Sequence, residues 1–148
     1  MKNKNLFKGL KVFFILLLAL TAVGKLLDNR GFAEVIISYQ FGLPGWLALG
    51  LGLAVSLFEL FLAIALILGI YQRYCGILLI LMHAGYTLLS IISIQRGLQL
   101  TNCGCFGVFW QRPLGWGTVV EDLVLMGLSI LFYTLVPFFG SFKFKPRS

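Results

Sequence analysis

The stretch WLALGLGLAVSLFELFLAIALILGI, residues 46–70, decides the fold class, because Glu59 is the one charged residue in a long apolar run. About 20 apolar residues in an α-helix span the roughly 30 Å hydrocarbon core of a bilayer. Three further runs of this kind cover approximately residues 10–27, 74–94 and 118–139. The sequence therefore predicts an all-α integral membrane protein, a four-transmembrane-helix bundle that forms a single domain over residues 1–148.

The composition agrees with this class. Of the 148 residues, 59% are hydrophobic and only 11% are charged, and the mean hydropathy of +0.97 is far above that of a soluble domain. The net charge of +7 is not the footprint of a nucleic-acid-binding protein, because the basic residues cluster near the chain ends. We expect the lipid bilayer, and no nucleic acid, to be the partner of this surface.

The basic residues also predict the orientation. With a cytoplasmic N-terminus, basic residues on the inner side outnumber those on the outer side two to one, as the positive-inside rule requires. The inner set is Lys2, Lys4, Lys8, Lys11, Arg73, Lys143, Lys145 and Arg147, and the outer set is Lys25, Arg30, Arg96 and Arg112. Both termini are then cytoplasmic, and the loops near residues 28–45 and 95–117 face the extracytoplasmic side.

The first outer loop carries apolar residues at helical spacing, which predicts a short amphipathic helix lying in the membrane interface. These residues are Phe32, Val35, Ile36 and Tyr39. In the second span, Gly45, Gly50 and Gly52 are expected to allow close approach of neighbouring helices. A tight turn near Gln72 predicts that the second and third spans are antiparallel neighbours.

Two local pairings are predicted from spacing alone. Thr118 and Glu121 match a capping box at the start of the fourth span, where Glu121 and Asp122 also place negative charge at the positive end of the helix. Lys25 and Asp28 lie three residues apart near the outer end of the first span, and this spacing permits an ion pair.

The run NCGCFG, residues 102–107, is the main chemical feature of the chain, and it lies in an outer loop. A disulfide between Cys103 and Cys105 requires a sharp turn, which Gly104 permits. The ring is small, so the bond should be strained, and strained, accessible disulfides belong to catalytic or regulatory pairs. The extracytoplasmic side is an oxidising compartment in which such a bond can persist. This pattern favours thiol–disulfide exchange.

Other interpretations of the pair stay open. The cysteines can be two free thiols, or a passive disulfide that shapes the loop. Two thiolates also suit a soft metal such as Cu(I), but two ligands are too few for a closed zinc site, and we predict no metal. Cys75 begins the third span at the opposite end of the membrane and is interpreted as a small buried residue.

Glu59 and His83 are the polar residues near the middle of the membrane. Counted from the cytoplasmic ends of their spans, Glu59 lies about 16 Å deep and His83 about 13 Å deep. Because a lone polar group in hydrocarbon is costly, we hypothesise a direct or water-bridged contact between them. Such a pair could relay protons, bind the head group of a quinone cofactor, or serve as a structural hydrogen bond between two helices.

Three segments together resemble the methylamine-utilisation protein MauE family, within the broader DoxX-like group. They are GKLLDNRGFAEVIISYQFGLP at residues 24–44, NCGCFG at residues 102–107 and WGTVVEDLVLMGLSI at residues 116–130. The resemblance implies a four-helix protein of the bacterial inner membrane, often encoded with thioredoxin-like periplasmic proteins and implicated in forming disulfides in exported partners. It assigns the redox pair to Cys103 and Cys105, and gives Lys25, Asp28 and Glu59 no defined role.

The arrangement also resembles four-helix enzymes that generate disulfides and reduce quinone. Those enzymes carry a second cysteine pair, which this chain lacks. A quinone would therefore have to meet Cys103 and Cys105 directly, or the electrons would pass to a separate protein.

Two functions from different classes follow. The first is a membrane thiol–disulfide oxidoreductase or electron carrier that uses the CGC pair and exchanges with a thioredoxin-like partner or with quinone. The second is a non-catalytic small subunit or assembly factor of a larger membrane complex, in which the helix faces and the aromatic loop dock a partner.

Overall fold

A computed structural model describes residues 2–107 and 109–139 and contains five helices. They are α1 (Lys2–Leu27), α2 (Asn29–Ser38), α3 (Gly45–Leu68), α4 (Gln72–Gln95) and α5 (Trp116–Phe139). The part of the chain so described contains no strand. By length and composition, α1, α3, α4 and α5 can each cross a membrane. The predicted all-α fold with four spans is confirmed, and the short α2 is consistent with the predicted interfacial helix.

Helix α1 begins at Lys2, earlier than the predicted start near residue 10. The apolar stripe that faces the bundle already begins at Phe7 and continues through Leu10, Phe14 and Leu18, all of them buried. This i, i+3, i+4 spacing keeps the lysine-rich first turns helical, because one of their faces has a packing partner. The predicted C-terminal basic cluster, Lys143, Lys145 and Arg147, lies outside the described residues.

The helices associate mainly as two pairs, α1 with α3 and α4 with α5. Helices α3 and α4 do contact each other, as their tight connection predicts, but each packs more extensively on another helix. One reason is Gly76 of α4, where an added Cβ would lie 3.2 Å from Cβ of Tyr133 in α5. The two pairs meet mainly through α1 and α5, and α3 and α4 contact each other less extensively.

The buried apolar core fills one end of the bundle, which we call the terminal end because it holds the N-terminus and the α3–α4 turn. The rings of Phe14 and Phe132 meet there edge to face, with centroids 6.0 Å apart. Buried leucines from α1, α3 and α4 surround them. At the opposite end, the loop end, α2 and the α4–α5 connection cover the helices, and the buried residues become polar.

Helix α2 lies against α3 at a glycine, as the sequence predicted for this span. A Cβ at Gly52 would lie 2.9 Å from Oδ1 of Asn29 and 3.2 Å from the ring of Phe32. Gly45 and Gly50 have no such close neighbour among the described residues. A single glycine thus sets the distance between α2 and α3, and it fixes Phe32 above the polar end of the bundle.

Candidate functional site

The CGC loop, residues 102–107, is held by backbone hydrogen bonds within the α4–α5 connection. The Cys103 N–H donates to the carbonyl of Arg112 over 2.8 Å, and the Leu114 N–H donates to the carbonyl of Leu100 over 2.9 Å. These bonds pair the two arms of the connection in the manner of a short antiparallel ladder. The two cysteines therefore lie in a turn that these hydrogen bonds hold in place, which we call the braced turn.

Arg112 joins the loop to α5. Its guanidinium donates to Glu121 through both terminal nitrogens, one of them over 2.7 Å, which is the strong two-pronged arrangement. The same group lies over the rings of Phe106 and Trp110, at 5.5 Å and 5.7 Å from their centroids. A positive charge is therefore fixed beside the cysteine turn.

The capping box predicted for Thr118 and Glu121 is wrong. Helix α5 begins at Trp116, and the backbone N–H of Thr118 bonds to the carbonyl of Gly115 over 3.0 Å. The carboxylate of Glu121 instead forms an ion pair with the nearby guanidinium of Arg112. Spacing alone could not reveal this, because a charge-assisted bond from the loop is stronger than the bond to a neutral backbone N–H.

Cys103 and Cys105 are free thiols whose Sγ atoms lie 2.8 Å apart. Gly104 between them has φ +76°, and its N–H bonds to the side chain of Asn102 over 2.9 Å. The hydroxyl of Tyr39 donates to the carbonyl of Cys103 over 3.0 Å. A disulfide needs the sulfurs about 2.05 Å apart, so a small movement of one side chain would join them.

The two thiols differ in their affinity for a proton. The hydrogen bond between the two thiol groups is the main cause that lowers the pKa of Cys103, and the charge of Arg112 adds to it. The same hydrogen bond, together with burial, raises the pKa of Cys105. Cys103 is therefore the more acidic of the two thiols, and Cys105 holds its proton more tightly.

The pH dependence of alkylation checks this assignment. In a Cys75→Ala background, the rate of Cys103 alkylation by iodoacetamide should rise with pH and level off above the pKa. Its midpoint should lie below the ordinary thiol value of about 8.5, because the lowered pKa leaves a thiolate at lower pH. Peptide mass spectrometry identifies the labelled cysteine.

The matched control is Cys105→Ala in the same background, which removes the hydrogen-bond donor. Its midpoint should move upward. Equal midpoints in the two proteins would show that Cys105 does not stabilise the thiolate.

Beneath the loop lies a buried ion pair between α1 and α3. Nζ of Lys25 is 2.6 Å from Oε1 of Glu59, and both side chains are only 2% exposed. The hydroxyl of Tyr86 in α4 donates to the same oxygen over 2.7 Å. The ammonium also lies between the rings of Phe32 and Tyr86, at 5.2 Å and 5.4 Å from their centroids. Three helices thus converge on one carboxylate.

The predicted ion pair between Lys25 and Asp28 is wrong, because Lys25 binds Glu59 instead. Asp28 is the N-cap of α2, where its Oδ1 accepts from the Gly31 N–H over 2.8 Å. A buried ammonium needs a charged partner inside the bundle. Glu59, which is 1% exposed, meets that need, whereas Asp28 lies at the surface cap.

His83 and Glu59 were predicted to make a direct or water-bridged contact and to bind a cofactor, and in the structure each has another direct partner. Nδ1 of His83 lies 2.8 Å from the carbonyl of Leu79 and 3.4 Å from Oγ of Ser129. Both residues nevertheless line one cavity of about 50 Å³, which Cys105 also lines. The structure brings Glu59, His83 and Cys105 to the same space without joining Glu59 directly to His83, and their binding of a cofactor stays a prediction.

The sequence analysis did not select Tyr86, and it treated Asp122 only as a negative charge at the start of a helix. Both belong to the site. Tyr86 stands one helical turn beyond His83, a spacing that could have placed it on the same face. Asp122 is 6% exposed, and its Oδ2 has no hydrogen-bond partner within the described residues. It lines two cavities together with Cys105.

No group of three or more His, Cys, Asp or Glu side chains in the described ranges is placed to hold a metal ion.

Two thiols on a braced turn above a buried ion pair, on four apolar helices, define a four-span membrane protein with a paired-cysteine loop. The family model described as "Methylamine utilisation protein MauE" matches residues 3–135. The chain belongs to the MauE family.

Two curated relatives agree with this assignment. The methylamine utilization protein MauE of Methylorubrum extorquens is 29% identical over 106 residues, which cover 72% of this chain and 56% of that protein. The MauE protein of Paracoccus denitrificans is 26% identical over 132 residues, which cover 87% of this chain and 69% of that protein. The chain thus spans little more than half of the first relative. No solved structure matches the chain, and the broader DoxX-like grouping stays a prediction.

Proposed function

We propose that this chain is a membrane thiol–disulfide oxidoreductase whose Cys103 and Cys105 exchange with cysteines of an exported, thioredoxin-like protein. The observation that carries the proposal is the pair itself, two thiols 2.8 Å apart on a braced turn. The unequal proton affinity of the two sulfurs supports it. From the names of the relatives we take methylamine utilisation as the setting of this exchange.

The proposal places the loop end on the extracytoplasmic side of a bacterial inner membrane. The distribution of basic residues supports this orientation, and only that side keeps protein disulfides oxidised. The partner would then approach from the aqueous phase, over α2 and the CGC loop.

A polar groove of about 440 Å³ between α2 and the CGC loop suits this approach. Its walls include Asp28 and Glu34 from α2, Asn102 from the loop, and the backbone of Gly104 between the two cysteines. A polypeptide lying in the groove would pass beside the peptide link that joins the cysteines. The acidic side chains favour a partner segment that carries basic residues.

The order of exchange follows from the difference in pKa between the two thiols. In the oxidised form, a partner thiolate attacks one sulfur and the other leaves, and the thiol of lower pKa leaves faster. Cys103 is therefore the leaving thiolate, and the mixed disulfide forms on Cys105, the less buried of the two. The second partner thiolate then resolves it, which leaves a disulfide in the partner and two reduced cysteines here.

Trapping tests this order. In a Cys75→Ala background, Cys103→Ser should accumulate a mixed disulfide through Cys105. It forms in the reverse reaction, when Cys105 attacks the partner's disulfide, and it persists because the Cys103 sulfur that would displace the partner is gone. Cys105→Ser should accumulate much less, because Cys103 is 6% exposed. Non-reducing gels and mass spectrometry of the purified, acid-quenched protein measure both, and the double Ser variant is the matched control.

Absence of a mixed disulfide from both single variants would contradict the proposal. If, in addition, the double Ser variant supported the host's methylamine growth like the unaltered protein while remaining in a stoichiometric complex, the non-catalytic subunit would be the better explanation.

A further inference from the structure

A second cavity, which we call the lateral pocket, lies between α2, α3 and α4 and has a volume of about 150 Å³. Most of its wall is apolar, with Phe32 and Phe41 from the region of α2 and Val55 from α3. Lys25 and both cysteines of the CGC loop also line it. Both cysteines of the dithiol thus border the lateral pocket.

The lateral pocket extends into the membrane-spanning part of the bundle. Val55 lies ten residues into α3, about 15 Å along the helix from its loop end. Val55 of α3 and Leu89 of α4 both line the pocket, so it lies between these two helices, and each of them packs more extensively on another helix. This position suits a small molecule that arrives from the lipid better than a folded protein.

The CGC loop separates the lateral pocket from the polar groove. Gly104 and Phe32 line both spaces, and a Cβ at Gly104 would lie 3.0 Å from the Phe32 ring. The dithiol therefore lies between the polar groove, which is aqueous, and the lateral pocket, which is apolar. Cys103 and Cys105 border the apolar space directly.

We propose that the lateral pocket binds the head group of a lipid-soluble quinone, which reoxidises the Cys103–Cys105 dithiol. This inference rests on the proposed function, because it names the oxidant that the exchange cycle consumes. An apolar cavity of about 150 Å³ holds one benzene ring, so the volume fits a single six-membered quinone ring. Because α3 and α4 pack mainly on other helices, an apolar tail would extend between them into the lipid.

The reaction balances without a further reactant. Two thiols lose two electrons and two protons and become one disulfide, and the quinone accepts them and becomes a hydroquinone. One proton comes from each thiol, and Cys103, the more acidic of the two, gives up its proton first. Lys25 lines the pocket, and its ammonium lies 5.2 Å and 5.4 Å from the ring centroids of Phe32 and Tyr86, which line it too. This charge would stabilise the oxyanion that develops on the quinone.

The test uses the purified full chain in detergent micelles, with a Cys75→Ala background, a reduced dithiol and ubiquinone-1 as the oxidant. We expect one quinone to be reduced for every two thiols lost, measured by quinone absorbance and by maleimide titration. Val55→Trp fills the pocket and should slow quinone reduction by about 10- to 100-fold, as expected when reacting groups are displaced. Val120→Trp is the matched control, because Val120 is 58% exposed on α5, outside the pocket.

Oxidised glutathione separates this inference from the proposed function. Val55→Trp should still be oxidised by this water-soluble disulfide at the rate of the unaltered protein. If glutathione oxidises the dithiol and ubiquinone-1 does not, the quinone site is overturned and the oxidoreductase stands. If neither does, both fail. Should Val55→Trp not fold, Leu89→Trp on the α4 wall of the pocket replaces it, and an unchanged rate in the folded variant overturns the site.

Discussion

Lys25→Met should destabilise the protein by about 3–5 kcal/mol, the cost of removing one partner of a buried ion pair. Glu59 would keep the Tyr86 hydroxyl but lose the ammonium at 2.6 Å. Its other oxygen already has no hydrogen-bond partner among the described residues. Thermal unfolding in detergent, followed by circular dichroism, measures the loss.

Two further variants make this result specific. Lys25→Met with Glu59→Gln should recover most of the stability, because a neutral amide oxygen still accepts from Tyr86 and no charge stays unpaired. Lys8→Met, at an exposed lysine of the same helix, should change stability little. A Lys25→Met protein as stable as Lys8→Met would show that the pair does not hold α1 to α3.

Gly107→Ala should be the most damaging single-methyl change in the CGC loop. Gly107 has φ +58°, and an added Cβ would lie 2.3 Å from the carbonyl carbon of Gly24 and 2.5 Å from the backbone nitrogen of Lys25. The left-handed conformation costs alanine about 1–2 kcal/mol, and overpacking against a rigid helix adds about 1–3 kcal/mol. The loop must then move away from α1.

Gly97→Ala is the matched control, because Gly97 has φ +73° and open space around it. Gly97→Ala should lose only the stability that the left-handed backbone conformation costs alanine. Thermal unfolding gives the difference in stability between the two variants. The rate of Cys103 alkylation reports whether the turn itself has moved. Equal losses in the two variants would mean that contact with Gly24 is unimportant.

The architecture was predictable because its signal is spread over many residues. Each spanning helix is a long apolar run, so no single misread residue changes the result. The start of α1 was placed too late because the packing of Phe7 depends on Phe132, whose ring lies 5.3 Å away. That contact joins the first and last helices, and no local pattern records it.

The chemistry of the site was predictable only in part. CGC is a local pattern, so the two cysteines could be selected directly. The partners of Glu59 could not, because Lys25, Glu59 and Tyr86 come from three helices and their meeting depends on how those helices rotate. Depth alone paired Glu59 with His83, and short spacing paired Lys25 with Asp28. Both inferences omitted the need of a buried ammonium for an opposite charge.

The two hydrogen bonds on the peptide groups of Cys103 make the two halves of the dithiol unequal in backbone support. Its N–H is held by Arg112 and its carbonyl by Tyr39, while Gly104, which precedes Cys105, and Gly107 both have positive φ. If the pair exchanges as proposed, we expect the sulfur–sulfur bond to open and close by a local movement of Cys105, with Cys103 kept in place. Such a cycle would need no rearrangement of the membrane-crossing helices, so turnover would be compatible with a stationary scaffold in the bilayer.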